Sequence, residues 1–435
     1  MLRLRSLIGL VFLIGLCWSL CRNRKAISWR LVAWGVGLQL LFGVVVLQTT
    51  FGAATFEAIN EALQGLLRFS EAGSTFLFGD LVFNNVPVGA GTPGGNGPLT
   101  GPVTMVARTG AYFAFHVLPT IVFFSSLMAV LYHLGIMQRV VRGIAWVMQR
   151  TMRTSGAETL AAAGGIFVGL METPLLVKPY LARLTQSEVF ALMIAGLASI
   201  SGSVLVAYVG MLSGYFPGIG GHLVSASVMS APAALVVAKL MFPEEPGHVS
   251  SIDIGTVDVS DDVNLIDAAG RGAVEGAFLA IKVGAMLIAF LGLLQLLNAG
   301  IGWGGRLAGI EHLSLQGILG TVLSPLAWLL GVPWGEARVV GELIGVKTVL
   351  NEFVAFRNLA EIAGGPTPLS PRATIIASYA LASFANFGSI AMQVAGMGEL
   401  APGRRTMLAE LAMRALIGGT IAALMTAAVA GILVP

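Results

Sequence analysis

The sequence predicts an all-α integral membrane protein with about eight transmembrane helices, two opposed re-entrant hairpins and interfacial helices in an inverted repeat. Composition is the first reason: 56% of the 435 residues are hydrophobic, only 11% are charged, and the mean hydropathy is +0.85. Soluble domains carry about a quarter charged residues, so much of this protein's surface must be solvated by lipid. The other reasons are eight long apolar stretches and a pattern of broken helices that occurs twice.

Eight apolar stretches are long enough to cross a hydrocarbon core of about 30 Å. They lie near residues 6–22, 29–49, 109–134, 187–212, 221–242, 275–298, 372–397 and 406–433. Two amphipathic segments, 51–69 and 136–153, predict interfacial helices. Because cytoplasmic loops hold the excess of Lys and Arg, segment 136–153 is expected inside and 69–107, which has neither residue, outside. Residues 243–265 predict a charged aqueous loop.

Two further apolar segments are interrupted by polar residues and predict re-entrant hairpins. Segment 156–184 breaks around Gly169 and Glu172, and segment 336–361 breaks near Asn351 and Glu352. Each half is too short to span a bilayer. Broken backbone at membrane depth is tolerated only where it is buried in protein or lines a cavity. Each hairpin is therefore expected to carry a carboxylate at its tip, within the protein.

A long helix with a polar interruption follows each hairpin. The interruptions are LASISGSV at 197–204 and LASFANFGSI at 381–390. The order of hairpin, broken helix and further span thus occurs twice, which indicates an inverted repeat. Interrupted helices in matching positions predict a binding site near the membrane midplane.

The two tip carboxylates allow two interpretations. A carboxylate at membrane depth costs about 2.5–3.5 kcal/mol on insertion scales, so it requires a partner or a function. Glu172 and Glu352 either accept hydrogen bonds from a substrate or are neutralised by the nearby Lys178 and Lys347. The roles of Lys347 and of Arg357 stay open.

Asn386 and the serines of the broken helices are the other polar candidates. Asn386 lies between Phe384 and Phe387, and an amide beside aromatic rings suits a ring-shaped ligand. Serines in membrane helices, by contrast, often bond only to the preceding turn.

Several other functions are excluded by the absence of their motifs. The five histidines are scattered, and no metal-binding spacing such as HExxH occurs. In GELIGVKT the lysine is displaced from its place in a phosphate-binding loop, so an ATP-driven pump is not expected. The pI near 9.0 reflects basic loops between apolar spans rather than a nucleic-acid partner.

The segment GVKTVLNEFVAF at 345–356 resembles the signature of concentrative nucleoside transporters. GxxxxETP in the first hairpin, SGSV after it, ANFGSI in the seventh span and APGRR before the last agree with that family. The resemblance implies a nucleoside importer that works by cation symport and elevator-type alternating access. It also implies a homotrimer in the lipid of a bacterial cytoplasmic (inner) membrane, with no cofactor beyond a coupling ion, H+ or Na+.

The resemblance also implies a division into a fixed scaffold and a moving transport domain. The expected parts are scaffold spans with interfacial helices at 1–153, the first hairpin repeat of the transport domain at 154–242, a cytoplasmic loop, interfacial helix and sixth span of the scaffold at 243–334, and the second hairpin repeat of the transport domain at 335–435.

Substrate contacts carry over by position. The family's ribose contacts fall on Glu352, Asn386 and Ser389, and the first-hairpin carboxylate falls on Glu172. The nucleobase contacts fall on Phe384 and Val204. Where sodium-coupled members read G-Q-T-E, this chain reads Gly169-Leu170-Met171-Glu172. Two hydrogen-bonding positions that face the base have become apolar, which is expected to relax base preference.

The cation site departs from the family pattern as well. Sodium-coupled members place an Asn side chain where this chain has Gly165, and the remaining positions fall on Val168, Ser199, Ile200 and Ser201. Loss of an oxygen ligand weakens a site for a hard cation. Proton coupling is therefore favoured over sodium coupling, with Glu172 as the titrating group.

Three alternatives stay open. The altered first hairpin fits a carrier for a modified nucleoside or another ribosylated molecule. A non-transporting nucleoside sensor could share the scaffold. A membrane-embedded enzyme could use Glu172 and Glu352 as acid and base, although no metal cluster or spacing of nucleophile and base is visible.

Overall fold

The computed structural model describes residues 2–83, 85–90, 100–108, 111–244, 262–310 and 312–435. Parts of the predicted external stretch 69–107 and most of the predicted aqueous loop 243–265 lie outside the described residues. The helices of the first half are α1 Leu2–Ser19, α2 Trp29–Gln48, α3 Thr50–Phe78, α4 Leu118–His133, α5 Ile136–Met152, α6 Gly156–Gly164, α7 Gln186–Ala198, α8 Gly202–Leu212 and α9 Ile219–Met241. Those of the second half are α10 Leu265–Leu307, α11 Leu315–Leu329, α12 Trp334–Val349, α13 Glu352–Ala363, α14 Pro371–Leu381, α15 Phe387–Leu400 and α16 Arg405–Leu433.

The predicted helical membrane architecture is confirmed. Within the described residues, seven helices are long and apolar enough to cross a membrane, and the bent pair α11–α12 could form another. The seven are α1, α2, α4 with the π-helical turn Phe113–Val117 before it, α7–α8, α9, α10 and α16 with the 3-10 turn Pro402–Arg404 before it. The predicted span 372–397 is divided into α14 and α15 by residues 382–386.

Three helices differ from the predicted bounds. α10 has 43 residues where 275–298 was predicted, because charged residues near its ends lower the hydropathy without breaking the helix. α3 runs past the predicted 51–69 to Phe78, and Gly79, with a φ of +56°, ends it. α11 was not predicted as a span, and the chain turns by 117° at the break between α11 and α12.

A two-stranded antiparallel hairpin adds to the helical fold. β1 Asn85–Ala90 pairs with β2 Thr100–Arg108, from Asn85 opposite Arg108 to Ala90 opposite Thr100. The strands lie in the Gly- and Pro-rich stretch that was expected outside the membrane.

The predicted repeat is present in the order of the elements. The first unit is hairpin α6 with its returning half, broken helix α7–α8 and span α9, and the second is hairpin α12–α13, broken helix α14–α15 and span α16. The returning half of the first hairpin is the 3-10 helix Thr173–Tyr180. Pro174 and Pro179 explain this form, because proline donates no N–H to a regular helical ladder.

The spans divide into a buried core and a periphery. The apolar windows of α7–α8, α9 and α16 are 94%, 89% and 83% buried, whereas that of α10 is 17% buried. α10 leaves large apolar side chains such as Phe278 and Ile288 exposed. In a membrane protein such a surface is suited to lipid or to another subunit.

Glycine brings peripheral helices α4 and α10 into backbone contact. A Cβ at Gly272 would lie 2.7 Å from the Ser125 carbonyl oxygen, and one at Gly276 would lie 2.8 Å from Val122 Cα. Small residues four apart permit such close approach between membrane helices. Ser126 Oγ of α4 also donates to the Ala269 carbonyl of α10 at 2.8 Å.

A buried charged cluster fastens the base of the first hairpin. Glu158 closes a capping box with Ser155 at the start of α6. Lys239 Nζ, near the end of α9, lies 2.6 Å from Glu158 Oε2 and 3.1 Å from Glu244 Oε2. It also donates to Ser187 Oγ of α7 at 2.9 Å. Because buried charges require partners, this cluster holds the starts of α6 and α7 against α9.

Candidate functional site

Three half-helices contribute to one buried carboxylate group, two of them at their N-terminal ends and α8 through Tyr208. α8 follows the break Ser199–Ser201, α13 follows Asn351, and α15 follows the break 382–386. The residues just before the three helices, Ser201, Asn351 and Asn386, have extended backbone. Each helix start has unpaired N–H groups and a partial positive charge. The starts of α13 and α15, which meet at Glu352 and Asn386, thus favour a polar or negatively charged group in an otherwise apolar region.

Glu352 lies at the centre of this arrangement. It is the first residue of α13 and is only 4% exposed. Its Oε1 accepts a hydrogen bond from Tyr208 Oη of α8 at 3.1 Å, and its Oε2 accepts one from Asn386 Nδ2 at 2.9 Å. Two oxygens of an ionised carboxylate can accept about four hydrogen bonds, so capacity remains for a ligand.

Asn386 is held by the helix that it begins. Its Oδ1 accepts the backbone N–H of Ser389 at 2.7 Å, which caps α15. That bond directs the amide nitrogen to Glu352, so the predicted residues Glu352, Asn386 and Ser389 form one connected group. The amide nitrogen keeps a second N–H to donate.

The two broken helices contact each other through backbone. The Phe384 N–H donates to the Ser199 carbonyl at 3.1 Å, and the Gly202 N–H donates to the Phe167 carbonyl of the first hairpin at 3.0 Å. Phe384 and Val204, the predicted nucleobase contacts, are 9% and 2% exposed. The second hairpin and both broken helices thus meet in one site, and the first hairpin joins it through its backbone.

The tip of the first hairpin is placed differently from that of the second. The Glu172 carboxylate folds back over Gly169, where a Cβ would meet Glu172 Oε2 at an impossible 2.2 Å. Leu170 is buried against Gly196 of α7, and Met171 lies against Gly396 of α15. Within the described residues Glu172 makes no side-chain hydrogen bond or ion pair with Glu352 or Asn386. The tip residues therefore border α7 and α15, apart from the Glu352 cluster.

The predicted cation positions lie where the first hairpin meets α7. A Cβ at Gly165 would lie 3.1 Å from Ser199 Oγ and 3.4 Å from the Ala195 carbonyl oxygen. Ser199 Oγ donates back to the Ala195 carbonyl at 3.0 Å, as serines in membrane helices often do. Ile200 and Ser201 continue the break and are buried, and Val168 is half-buried. The Ser199 carbonyl also accepts the Phe384 N–H, which connects this position to the substrate side.

In the described ranges of the chain, the basic residues form no ion pair with the tip carboxylates. Arg357 pairs with Glu361 at 2.8 Å, and both side chains are exposed. Lys347 is buried within α12, and Lys178 is exposed. None of the ion pairs in the described parts of the chain includes Glu172 or Glu352. The described residues therefore contain no direct ion pair that would neutralise Glu172 or Glu352.

Sequence reasoning missed Tyr208, which hydrogen-bonds to Glu352. A tyrosine within an apolar helix has no conspicuous pattern. Its position four residues after Val204 was an available signal, because residues four apart share one face of a helix. Gln393 of α15 was also missed: it is buried, and its Nε2 donates to the Met193 carbonyl of α7 at 3.1 Å.

Family models cover most of the chain. The model described as "Na+ dependent nucleoside transporter C-terminus" matches residues 222–431, and its N-terminal counterpart matches residues 8–81. A third, described as "Nucleoside recognition", matches residues 114–215.

Named relatives and solved structures agree with these matches. Sodium/nucleoside cotransporter 1 of Rattus norvegicus is 40% identical over 445 residues, covering 99% of this chain and 64% of the relative. Solute carrier family 28 member 3 of the same species is 40% identical over 438 residues, covering 98% and 58%. The chain thus spans less than two thirds of the length of these curated relatives.

The solved structures match over nearly their whole length. CNTnw in an inward-facing substrate-bound state aligns with a TM-score of 0.88 and 41% identity, covering 100% of this chain and 98% of that one. A CNTnw variant in an outward-facing state aligns with a TM-score of 0.86, 41% identity and the same coverage. With the signature at 345–356 and the connected Glu352 group, these matches show that the chain belongs to the concentrative nucleoside transporter family.

Proposed function

We propose that this protein is a transporter, not an enzyme, that imports nucleosides by cation symport through elevator-type alternating access. The observation that carries the proposal is the buried Glu352 carboxylate, hydrogen-bonded to Asn386 where α13 and α15 begin. Such a group can accept hydrogen bonds from the hydroxyls of a neutral sugar. Two findings support this function. Relatives are named sodium/nucleoside cotransporters, and structures of CNTnw have been solved in inward- and outward-facing states.

The roles of the site residues follow from their chemistry. Glu352 would accept from ribose hydroxyls, the free N–H of Asn386 would donate to one of them, and Ser389 would complete the sugar contacts. Phe384 and Val204 would pack against the base. A base held by stacking and shape, next to the apolar Leu170 and Met171, is discriminated less strongly than one held by hydrogen bonds.

We extend the proposal to the division of the chain and to its assembly. Residues 154–242 and 335–435 would form the transport domain, and 1–153 and 243–334 the scaffold. The burial of α7–α8, α9 and α16 beside the exposed apolar surface of α10 supports this division. The same exposed surface supports a homotrimer embedded in lipid, in a bacterial cytoplasmic membrane.

For the coupling ion we propose protons rather than sodium, with Glu172 as the titrating group. Gly165 supplies no side-chain oxygen, and the neighbouring Ser199 hydroxyl and carbonyl already take part in protein hydrogen bonds. The Na+ in the names of family models and relatives favours the other ion. If sodium were bound at the Gly165 and Ser199 positions instead, the hydrogen bond from Phe384 to Ser199 would link it directly to the substrate side.

Uptake into proteoliposomes tests the function. Labelled uridine and adenosine are supplied under an inward proton gradient and, separately, under an inward sodium gradient at equal pH on both sides. We expect accumulation above equilibrium with the proton gradient, abolished by a protonophore. Accumulation with sodium alone would refute proton coupling, and nucleoside binding without uptake or counterflow would identify a sensor.

The altered first-hairpin tip favours one second candidate, a carrier for a modified nucleoside. Leu170→Gln with Met171→Thr restores two hydrogen-bonding groups beside α7 and α15. We expect base preference in competition assays to narrow by roughly tenfold, the effect of one or two hydrogen bonds. Leu176→Gln, which alters a buried leucine beyond the tip, controls for added polarity. An unchanged competition profile would mean that positions 170 and 171 do not face the base.

A further inference from the structure

We infer that Tyr208 is a positioning residue for sugar recognition, because its hydroxyl fixes the carboxylate of Glu352. This inference rests on the proposed nucleoside site and adds a residue from the first repeat to it. Tyr208 Oη donates to Glu352 Oε1 at 3.1 Å, and Asn386 Nδ2 donates to Glu352 Oε2 at 2.9 Å. One donor therefore holds each oxygen, so the carboxylate cannot rotate without losing a hydrogen bond.

The ring of Tyr208 is fixed independently of its hydroxyl. It stacks on Phe356 with centroids 4.2 Å apart and an interplanar angle of 18°. It also meets Phe353 edge-on, with centroids 5.0 Å apart. Both phenylalanines belong to α13, the helix that Glu352 begins. Because Tyr208 is fully buried, its hydroxyl is a preorganised donor whose place does not depend on a bound ligand.

This geometry bears on which ligand hydroxyls are recognised. With one lone pair on each oxygen occupied, the remaining acceptor positions of Glu352 have a fixed direction. A vicinal diol such as that of ribose can use two acceptors whose orientation is set in advance. A free carboxylate would lose that orientation and bind a sugar lacking one hydroxyl almost as well as one having both. Tyr208 would thus contribute to discrimination against deoxynucleosides, although it need not contact the sugar.

The test compares Tyr208→Phe with Tyr379→Phe in proteoliposome uptake and in equilibrium binding. Tyr379 is a matched control because it is equally buried in the core, while its hydroxyl lies 3.5 Å from His222 Nδ1 and not at Glu352. Substrates are uridine, 2′-deoxyuridine and 3′-deoxyuridine. For Tyr208→Phe we expect KM for uridine to rise roughly tenfold, as for loss of a hydrogen bond to a charged group, with Vmax within about twofold. The preference for uridine over both deoxy analogues should shrink. Tyr379→Phe should keep the wild-type KM and the wild-type sugar preference.

A second variant distinguishes loss of the hydrogen-bond donor from a folding defect. Incorporation of 4-aminophenylalanine at position 208 retains a donor on the same ring and should keep the wild-type KM and sugar preference. The inference is overturned if folded Tyr208→Phe keeps the wild-type sugar preference, or if the amino variant loses it. It is also overturned if Tyr379→Phe changes the preference equally. A wild-type protein that binds no nucleoside would refute the proposed function itself, which separates that failure from failure of the Tyr208 assignment.

Discussion

Replacement of Glu352 by glutamine should reduce nucleoside uptake by at least about 100-fold, the combined effect of two hydrogen bonds to a charged acceptor. The amide has nearly the shape of the carboxylate but turns one acceptor oxygen into a donor. That donor would face either Tyr208 Oη or Asn386 Nδ2, both of which donate to Glu352. The site would therefore lose its charge and the fixed orientation of its acceptor groups. Initial rates of uridine uptake and equilibrium binding measure this effect.

Arg357→Gln is the matched control for this variant. Arg357 lies on the same helix α13, but its side chain is exposed and pairs with Glu361 one turn away. Exposed ion pairs of this kind contribute about 0.3–0.5 kcal/mol, so uptake should stay within about twofold of wild type. Normal uptake by Glu352→Gln, in protein that elutes and melts like wild type, would remove Glu352 from the site.

Gly165→Asn should introduce a stimulation of uptake by sodium of about tenfold or more. A Cβ at this position lies 3.1 Å from Ser199 Oγ and 3.4 Å from the Ala195 carbonyl, so the amide oxygen would enter a region that already contains oxygen atoms. A hard cation gains affinity with each added oxygen ligand. Uptake is compared in sodium and choline media at equal pH on both sides of the membrane.

Gly165→Ala distinguishes the effect of the added oxygen ligand from the effect of the added side-chain volume. Alanine places the same Cβ against Ser199 but adds no oxygen, so its uptake should remain independent of sodium. Equal stimulation of both variants would show that bulk and not a ligand is responsible. Strong sodium stimulation of the wild type would show that the remaining oxygens suffice, and that Gly165 does not determine the ion.

The predictable part of the site consists of polar residues at membrane depth. Glu352 and Asn386 are conspicuous because a carboxylate or amide is costly among apolar residues. The structure places them 2.9 Å apart although 34 positions separate them in the chain. Tyr208 could not be identified in the same way, because the largely apolar ring of a tyrosine fits an apolar helix and only tertiary packing brings its hydroxyl to Glu352.

Other features depended on contacts that hydropathy does not encode. The two hairpin tips have similar patterns, yet only Glu352 joins the hydrogen-bonded group, whereas Glu172 folds over Gly169. The charged Arg271 and Glu275 concealed the start of α10 from a search for apolar residues, although they form an ion pair on that helix at 2.8 Å. Apolar length and polar interruptions thus predicted most of the spans and the two hairpins, whereas α11, the pair β1–β2, the ends of the helices and their mutual contacts required the folded chain.

The backbone contact between α4 and α10 has a consequence for movement. Since Gly272 and Gly276 leave no space between these helices, we expect the two to move as one rigid body. If α8 moves as part of the proposed transport domain, it must then move along α4, where Met128 Sδ lies 3.8 Å from the Cβ position of Gly202. A flexible thioether can adapt to a passing surface. In that proposed movement the hydrogen bond from Tyr112 Oη to the Gly210 carbonyl, 3.2 Å long, would break in each cycle, which would give the movement a discrete first step.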